Sequence, residues 1–307
     1  SVALRMICDR EDEINSFIPE EYWSLDAQLR VHGSRKKLTA HYYGDSDGKK
    51  SIRTKEEIEQ ITSELDGCTY EVSDVKIGER IKKAPIPFTT STLQQEASKT
   101  LNFSTQKTIR LAQQLYEGVD IKGRGTIGLI TYLRTDSTRV AEEADTAARK
   151  YIGDQFGENY VSTETPARKT EGKIQDAHEA IRPTDITLTP VIVKDQLSRD
   201  QFRLYQLIWK RFTASRMRPA VYETTSVKVT AGRHIFTLSA SRIKFEGFMS
   251  VYTQEEDRED GHTLTETLEK GMALDFLGLE SSQHFTQPPA HYTEASLVKA
   301  LEEQGIG

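Results

Sequence analysis

The sequence predicts a multidomain protein of mixed α and β structure, in which a mainly helical unit interrupts a β-rich one. Strand patterns occupy residues 24–48, 70–81 and 222–252, whereas apolar residues between them recur at helical spacing. Pro85 and Pro87 mark the change from the first strands to the helices. The simplest arrangement with strands, then helices, then strands is a helical domain inserted into a β domain. The two connecting segments would then lie side by side.

The first β-rich part contains one predicted helix. Residues 24–48 alternate between apolar and polar side chains, with a turn expected at Gly44 and Asp45. Thr54 and Glu57 form a capping box before an apolar periodic stretch, which predicts a short amphipathic helix.

Two helices follow the prolines in close succession. The first is expected to begin near Thr90 or Ser91, and the second is capped by Ser104. Only residues 102–103 separate them, a spacing typical of helix-turn-helix units but equally of ordinary helical packing. A glycine-rich turn then leads into an apolar segment, 127–133, that is predicted to be a strand.

The last part of the chain returns to strands and ends in a helix. A turn is predicted near Ala231 and Gly232, followed by strand residues 235–238 and 243–248. Thr293 is expected to cap a final helix that extends to Gly305.

The amino-acid composition excludes some classes of protein but does not identify the function. No run in the 307 residues approaches the roughly 18 apolar residues of a membrane span. Cys8 and Cys68 form neither a metal-ligand spacing nor a disulfide framework, so a reducing, cytoplasmic setting is expected. The net charge of −6 weighs against a nucleic-acid protein. However, acidic residues crowd 11–21, 56–66 and 255–260, whereas 204–220 contains four basic residues and no carboxylate.

The segment 128–138 is the strongest candidate for chemistry. A tyrosine hydroxyl such as that of Tyr132 can attack a phosphodiester once a nearby cation favours its ionised form. Arg134 would point to the same side in an extended segment and could pair with the phosphate. The alternative is a tyrosine at the end of a strand with its ring in the core. The neighbouring polar residues that could contact DNA are Thr131, Thr135, Asp136, Ser137 and Thr138.

A second candidate segment is 175–183. On a helical turn His178 and Arg182 would share a face, with Glu179 turned away and Pro183 ending the turn. Such a pair could hold a phosphate and help to ionise a tyrosine, although an incidental pair on a surface helix has the same spacing. The sequence contains no cluster with metal-ligand spacing and no phosphate-binding glycine loop.

Together these segments resemble a known family. Leu-Ile-Thr-Tyr-Leu-Arg-Thr-Asp-Ser around Tyr132 and Ala-His-Glu-Ala-Ile-Arg-Pro around His178 are similar to the two hallmark stretches of type IA DNA topoisomerases. Further similar stretches at 1–10, 88–95 and 283–299 extend the resemblance over nearly the whole chain. Leu133, where the topoisomerase III branch usually has proline, favours the bacterial topoisomerase I branch.

The resemblance implies a ring-shaped protein with a central hole for DNA, of which this chain would be the central part. The preceding N-terminal Toprim domain would hold Mg²⁺, and a C-terminal region would follow. The expected boundaries are 1–18 for the end of the helical base domain, 19–86 and 219–281 for the β-rich arch, 87–218 for the inserted domain with the tyrosine, and 282–307 for the return to the base.

The family mechanism implies a role for each candidate residue. Tyr132 would take the 5′-phosphoryl end of a cleaved single strand, Arg134 would position the phosphate, and His178 would assist. The residues that would contact DNA are Arg182, Thr131, Thr135, Asp136, Ser137 and Thr138. The reaction would relax negative supercoils without ATP, in a monomeric cytoplasmic protein associated with the nucleoid, and this chain alone would be inactive.

Four other functions remain open at this point. The chain could be a non-catalytic module that binds single-stranded DNA or part of a reverse gyrase. It could also belong to a tyrosine recombinase or a type IB enzyme, both of which leave a 3′-phosphotyrosine.

Overall fold

The computed structural model describes residues 1–164, 177–254, 264 and 266–306. The expected acidic stretch 255–260 and the start of the 175–183 segment lie outside the described residues. The strands are β1 (Glu21–Val31), β2 (Lys37–Asp45), β3 (Gly48–Lys49), β4 (Tyr70–Lys82), β5 (Val119–Ile121), β6 (Gly125–Ile127), β7 (Ala220–Ala231), β8 (His234–Phe245) and β9 (Ala273–Phe285). The helices are α1 (Val2–Ser16), α2 (Lys55–Leu65), α3 (Thr90–Leu101), α4 (Thr105–Glu117), α5 (Glu142–Phe156), α6 (Pro190–Val193), α7 (Arg199–Ser215) and α8 (Glu294–Glu303).

Six long strands form a closed antiparallel sheet. Their order is β1-β9-β4-β7-β8-β2, and β1 also pairs with β2, which completes the circuit, while β3 adds to the end of β2. Closure leaves few unpaired strand edges, which are otherwise prone to aggregation. Alternate residues of β1, namely Leu25, Ala27 and Leu29, are buried inside, as their spacing predicts.

The helical unit is inserted between β4 and β7. The last residues of β4 pair with the first of β7, with Lys82 opposite Ala220, so the chain enters and leaves the unit on neighbouring strands. This is the side-by-side arrangement that the order of elements predicts. Helices α3, α4 and α7 pack together around Leu93, Leu111 and Ile208, which are almost fully buried.

Arg211 links the helical unit to the segment that enters it and to the residues that follow β8. Its guanidinium donates to the carbonyl of Ile86 at 2.6 Å and to the hydroxyl of Tyr252 at 3.1 Å. The same group lies 4.5 Å from the centre of the Phe88 ring. A buried cation with polar and aromatic partners in these two parts of the chain holds them together without a carboxylate.

The terminal helices join the two ends of the chain. Arg10 of α1 donates to the carbonyl of Ala290 at 2.7 Å and stacks over the ring of Tyr292 at 4.1 Å. Helix α8 packs against α3, where Glu302 accepts a hydrogen bond from Ser91 at 2.6 Å. Among the described residues, no helix combines the length and the apolar character that crossing a membrane requires.

Four local predictions need correction. The turn expected at Gly44 and Asp45 lies two residues later, at Ser46 and Asp47, because β2 continues through Gly44 and Asp45 to pair with β3. Helix α3 is capped by Thr89, one residue before the predicted cap. The strand predicted over 127–133 ends at Ile127, and the strand predicted over 243–248 ends at Phe245 before a short 3₁₀ helix.

Candidate active site

The backbone that carries Tyr132 is fixed against the end of α4. The amide of Leu129 donates to the carbonyl of Leu115 at 2.8 Å. Gly128 passes so close to this helix end that a Cβ atom there would lie 2.6 Å from the carbonyl oxygen of Tyr116. Only glycine fits this approach, which explains its place just before the apolar segment.

Two threonine hydroxyls hold the residues on either side of Tyr132. Thr131 donates to the carbonyl of Ala180 at 2.7 Å and accepts from the amide of Arg182 at 3.0 Å. On the other side, Thr90 donates to the carbonyl of Leu133 at 2.6 Å and accepts from the amide of Thr135 at 2.8 Å. The backbone around Tyr132 is therefore clamped from two directions.

The side chain of Tyr132 points away from the core. It is 47% exposed, and its ring meets the ring of Tyr116 edge-on, with 5.3 Å between the centroids and 62° between the planes. Its chain neighbours Ile130 and Leu133 are buried instead. The phenol is therefore open to solvent, on a backbone that hydrogen bonds hold in place.

The second candidate segment runs beside the first in an extended conformation. Ile181 pairs with Phe88 and Pro183 pairs with Ile130 through isolated antiparallel bridges. The predicted helical turn over this segment is therefore wrong where the structure describes it, from Ala177 onward. Long-range pairing takes the backbone hydrogen bonds that a helix would need.

Glu179 faces Arg182 instead of turning away from it. The carboxylate accepts from Nε of Arg182 at 3.1 Å, from Nη2 at 2.9 Å and from the amide of Ala141 at 2.6 Å. Burial alone would raise the pKa of Glu179, but these bonds hold it below its usual value. Arg182, 9% exposed, also donates to the carbonyl of Pro183. The structure thus places Arg182 in an internal ion pair that supports the site.

The remaining predicted site residues lie near the backbone that Thr90 and Thr131 hold in place. Arg134 and His178 are exposed, as are Asp136 and Thr138. The hydroxyls of Thr135 and Ser137 accept hydrogen bonds from the amides of Ser137 and Arg139 in the following turn. This turn places the side chains of the segment on the surface beside Tyr132.

Four residues that position the site were not predicted from the sequence. Thr90 clamps the Tyr132 backbone, Tyr116 meets its ring, and Glu179 pairs with Arg182. Arg139 donates to the carbonyls of Ala177 and His178 and so joins the two segments. Only the run of hydroxyl residues at 89–92 gave a signal, because it marks a helix cap; the other contacts join residues whose spacing follows no local pattern.

The described residues do not form a metal site of their own. Within ranges 1–164, 177–254 and 266–306, no group of three histidine, cysteine, aspartate or glutamate side chains is placed to hold an ion. No ligand set for Mg²⁺ is therefore found among these described side chains. The chemistry available here is that of a phenol, a guanidinium group and an imidazole.

Comparison with known proteins places this geometry in context. The family model described as DNA topoisomerase matches residues 1–307. The structure of full-length topoisomerase I from Thermotoga maritima, in a monoclinic crystal form, is similar to the chain, with 38% sequence identity and a TM-score of 0.81. The match covers 99% of this chain and 47% of that one, so the chain spans about half the length of this relative.

Proposed function

The chain belongs to the type IA DNA topoisomerase family, and from this premise we propose that Tyr132 is the nucleophile that cleaves one DNA strand. The observation that carries the proposal is the exposed phenol on a backbone clamped by Thr90 and Thr131. A nucleophile held in one place loses little entropy when it meets its phosphate.

The proposed reaction exchanges one phosphoester for another. The phenol oxygen of Tyr132 attacks a backbone phosphorus, its proton leaves, and a phosphotyrosine bond forms. The bond from phosphorus to the 3′ oxygen breaks, and that oxygen leaves as a protonated 3′-hydroxyl while Tyr132 keeps the 5′-phosphoryl end. Resealing reverses each step, so no ATP is consumed. Between the two steps the intact strand passes through the gap, and negative supercoils relax.

Two exposed side chains have proposed roles in this exchange. Arg134 lies two residues beyond Tyr132 and would stabilise the charge on the phosphate. His178 lies two residues before Ala180, whose carbonyl is bonded to Thr131, and would act through the phosphate or the phenol. The hydroxyl residues that follow Tyr132 would contact neighbouring phosphates.

We propose that the complete enzyme contains parts beyond this chain, which spans about half the length of its relative. We propose that the closed sheet is the arch of a ring, that the inserted unit is the domain with the nucleophile, and that α1 and α8 belong to the base domain. Mg²⁺ would be held by a Toprim domain of the same protein, so the chain alone would not relax DNA. Its partners would be single-stranded or underwound DNA, in a monomeric enzyme at the nucleoid.

Substitution of one hydroxyl tests this proposal. In the longer protein, Tyr132→Phe should abolish both relaxation and the covalent DNA adduct trapped by detergent, because the ring remains and only the nucleophilic oxygen is lost. Tyr22→Phe is the matched control, since Tyr22 is 43% exposed but lies in β1. An adduct that persists in Tyr132→Phe would refute the assignment.

The same assay separates the other candidate functions. A non-catalytic DNA-binding module would form no adduct in any variant. The family match removes the tyrosine recombinase and type IB alternatives, and a label on the 5′ or 3′ side of the break checks this directly. A reverse gyrase would in addition show ATP-dependent positive supercoiling.

A further inference from the structure

A cavity of about 440 Å³ lies between α3, α4 and the Tyr132 segment. Arg134 lines it on one side, and Arg110 of α4 lines it on the other. The wall between them carries the amide side chains of Gln94, Gln106 and Gln113. Because Arg134 follows Tyr132 by two residues, this cavity adjoins the candidate nucleophile.

The two arginines of this cavity lack the ion pairs that other arginines of the helical unit make. Both are exposed, and neither guanidinium has an ion pair or hydrogen bond with any residue that the structure describes. By contrast, Arg149, Arg182 and Arg216 each pair with a carboxylate within 3 Å. An anion bound in this cavity would be attracted by both guanidinium groups.

No carboxylate competes for these cations at the described cavity wall. Two carboxylates bond to neutral residues of the lining instead, and the first, Glu294, accepts from the hydroxyl and the backbone amide of Thr105. Glu117 accepts from the amide of Gln113 at 2.7 Å. The side chains that line the cavity therefore carry two positive charges, amide donors and no carboxylate, which is the chemistry of a phosphate site.

We propose that this cavity binds a backbone phosphodiester of the cleaved strand, next to the scissile phosphate, with Arg110 as its main charge contact. This inference rests on the proposed function, because it takes Tyr132 as the point of cleavage. A volume of about 440 Å³ admits a phosphate with its flanking sugars. The contact is to the backbone, so it sets the register of the strand and does not read its bases.

Arg110→Gln tests the site by equilibrium binding. The 307-residue chain is titrated with a fluorescein-labelled single-stranded oligonucleotide at several salt concentrations, with anisotropy as the readout. We expect Arg110→Gln to weaken binding about fivefold at low salt and to reduce the slope of log K against log salt by about 0.7. Arg35→Gln, which removes the same charge from an exposed loop, should leave both quantities close to those of the unchanged chain.

Neutral linkages then identify the phosphate. In a series of oligonucleotides just long enough to cover the binding site, so that one register dominates, each carries one methylphosphonate in place of one phosphate. When the methylphosphonate replaces the phosphate that Arg110 contacts, Arg110→Gln should cause no further loss of affinity, because the negative charge is already absent. The proposal is overturned if Arg110→Gln weakens binding equally with every oligonucleotide of the series, or if Arg35→Gln weakens binding as much as Arg110→Gln. It is also overturned if the unchanged chain does not bind the oligonucleotide at low salt.

The result is distinguishable from failure of the proposed function. Arg110 does not touch the bond that breaks, and the binding assay involves no cleavage. If Tyr132→Phe abolishes the adduct while Arg110→Gln binds DNA normally, Tyr132 is supported as the nucleophile and the phosphate site is refuted. If the adduct still forms in Tyr132→Phe while the methylphosphonate series gives the expected pattern, the phosphate site is supported and the assignment of Tyr132 as the nucleophile is refuted.

Discussion

Removal of the Glu179 carboxylate should destabilise the helical unit substantially. In Glu179→Ala the guanidinium of Arg182 loses two hydrogen bonds, at 3.1 and 2.9 Å, and the amide of Ala141 loses one at 2.6 Å. At roughly 1 kcal/mol for each bond, the free energy of unfolding should fall by about 3 kcal/mol. This agrees with the cost of about 3–5 kcal/mol for leaving one partner of a buried ion pair uncompensated.

Urea unfolding followed by tryptophan fluorescence measures this loss. The chain has two tryptophans: Trp209 lies in the helical core, whereas Trp23 packs against the core of the sheet. In a Trp23→Phe background the signal reports the helical unit alone. With an m value of about 2 kcal/mol/M, Glu179→Ala should lower the midpoint by about 1.5 M urea.

An exposed ion pair in the same unit supplies the control. Asp154 accepts from Lys150 at 2.8 Å, but its side chain is 61% exposed. Asp154→Ala should therefore leave the midpoint nearly unchanged, since exposed pairs contribute little. Equal midpoints for Glu179→Ala and Asp154→Ala would refute the structural role assigned to the Glu179 pair.

Three further predictions follow from the same structure. Tyr116→Ala should slow adduct formation by Tyr132 several-fold in the longer protein, whereas Tyr116→Phe, which keeps the ring, should react at the normal rate. Burial alone would raise the pKa of Asp145, but hydrogen bonds from Arg149 and Arg216 hold it below its usual value. Its stabilisation is therefore present at neutral pH and lost as the pH falls through that lowered pKa, so urea midpoints should fall less steeply in acid for Asp145→Asn. Tyr70, 1% exposed, has a hydroxyl without a hydrogen-bond partner among the described residues, so thermal unfolding of Tyr70→Phe should show equal or greater stability.

The parts of the fold that the sequence predicts depend on local signals. Ser104 caps α4 because its hydroxyl reaches the amide of Lys107 three residues on, and such a contact is visible in the spacing alone. The alternation in β1 predicts its buried face for the same reason. By contrast, β2 extends past the predicted turn because Gly44 and Asp45 pair with β3, and Asp45 forms an ion pair with Lys50.

In the candidate site, too, local features could be predicted from the sequence and long-range contacts could not. Tyr132 could be proposed from its chemistry and from the family resemblance, since both concern a short run of residues. The extended conformation around His178 could not, because it depends on a bridge between Ile181 and Phe88, far apart in the chain. Helical spacing is a weak guide where long-range backbone pairing competes with it.

The central claim is that Tyr132 forms a covalent bond to the 5′ end of a cleaved strand. The chain is mixed with the proposed Toprim domain, Mg²⁺ and a single-stranded oligonucleotide. The adduct is then digested with nuclease and trypsin and analysed by mass spectrometry. Cleavage after Arg124 and Arg134 releases residues 125–134, which contain one tyrosine. We predict that this peptide carries a nucleotide through its 5′-phosphate. A nucleotide on any other peptide, or one attached through a 3′-phosphate, would contradict the account.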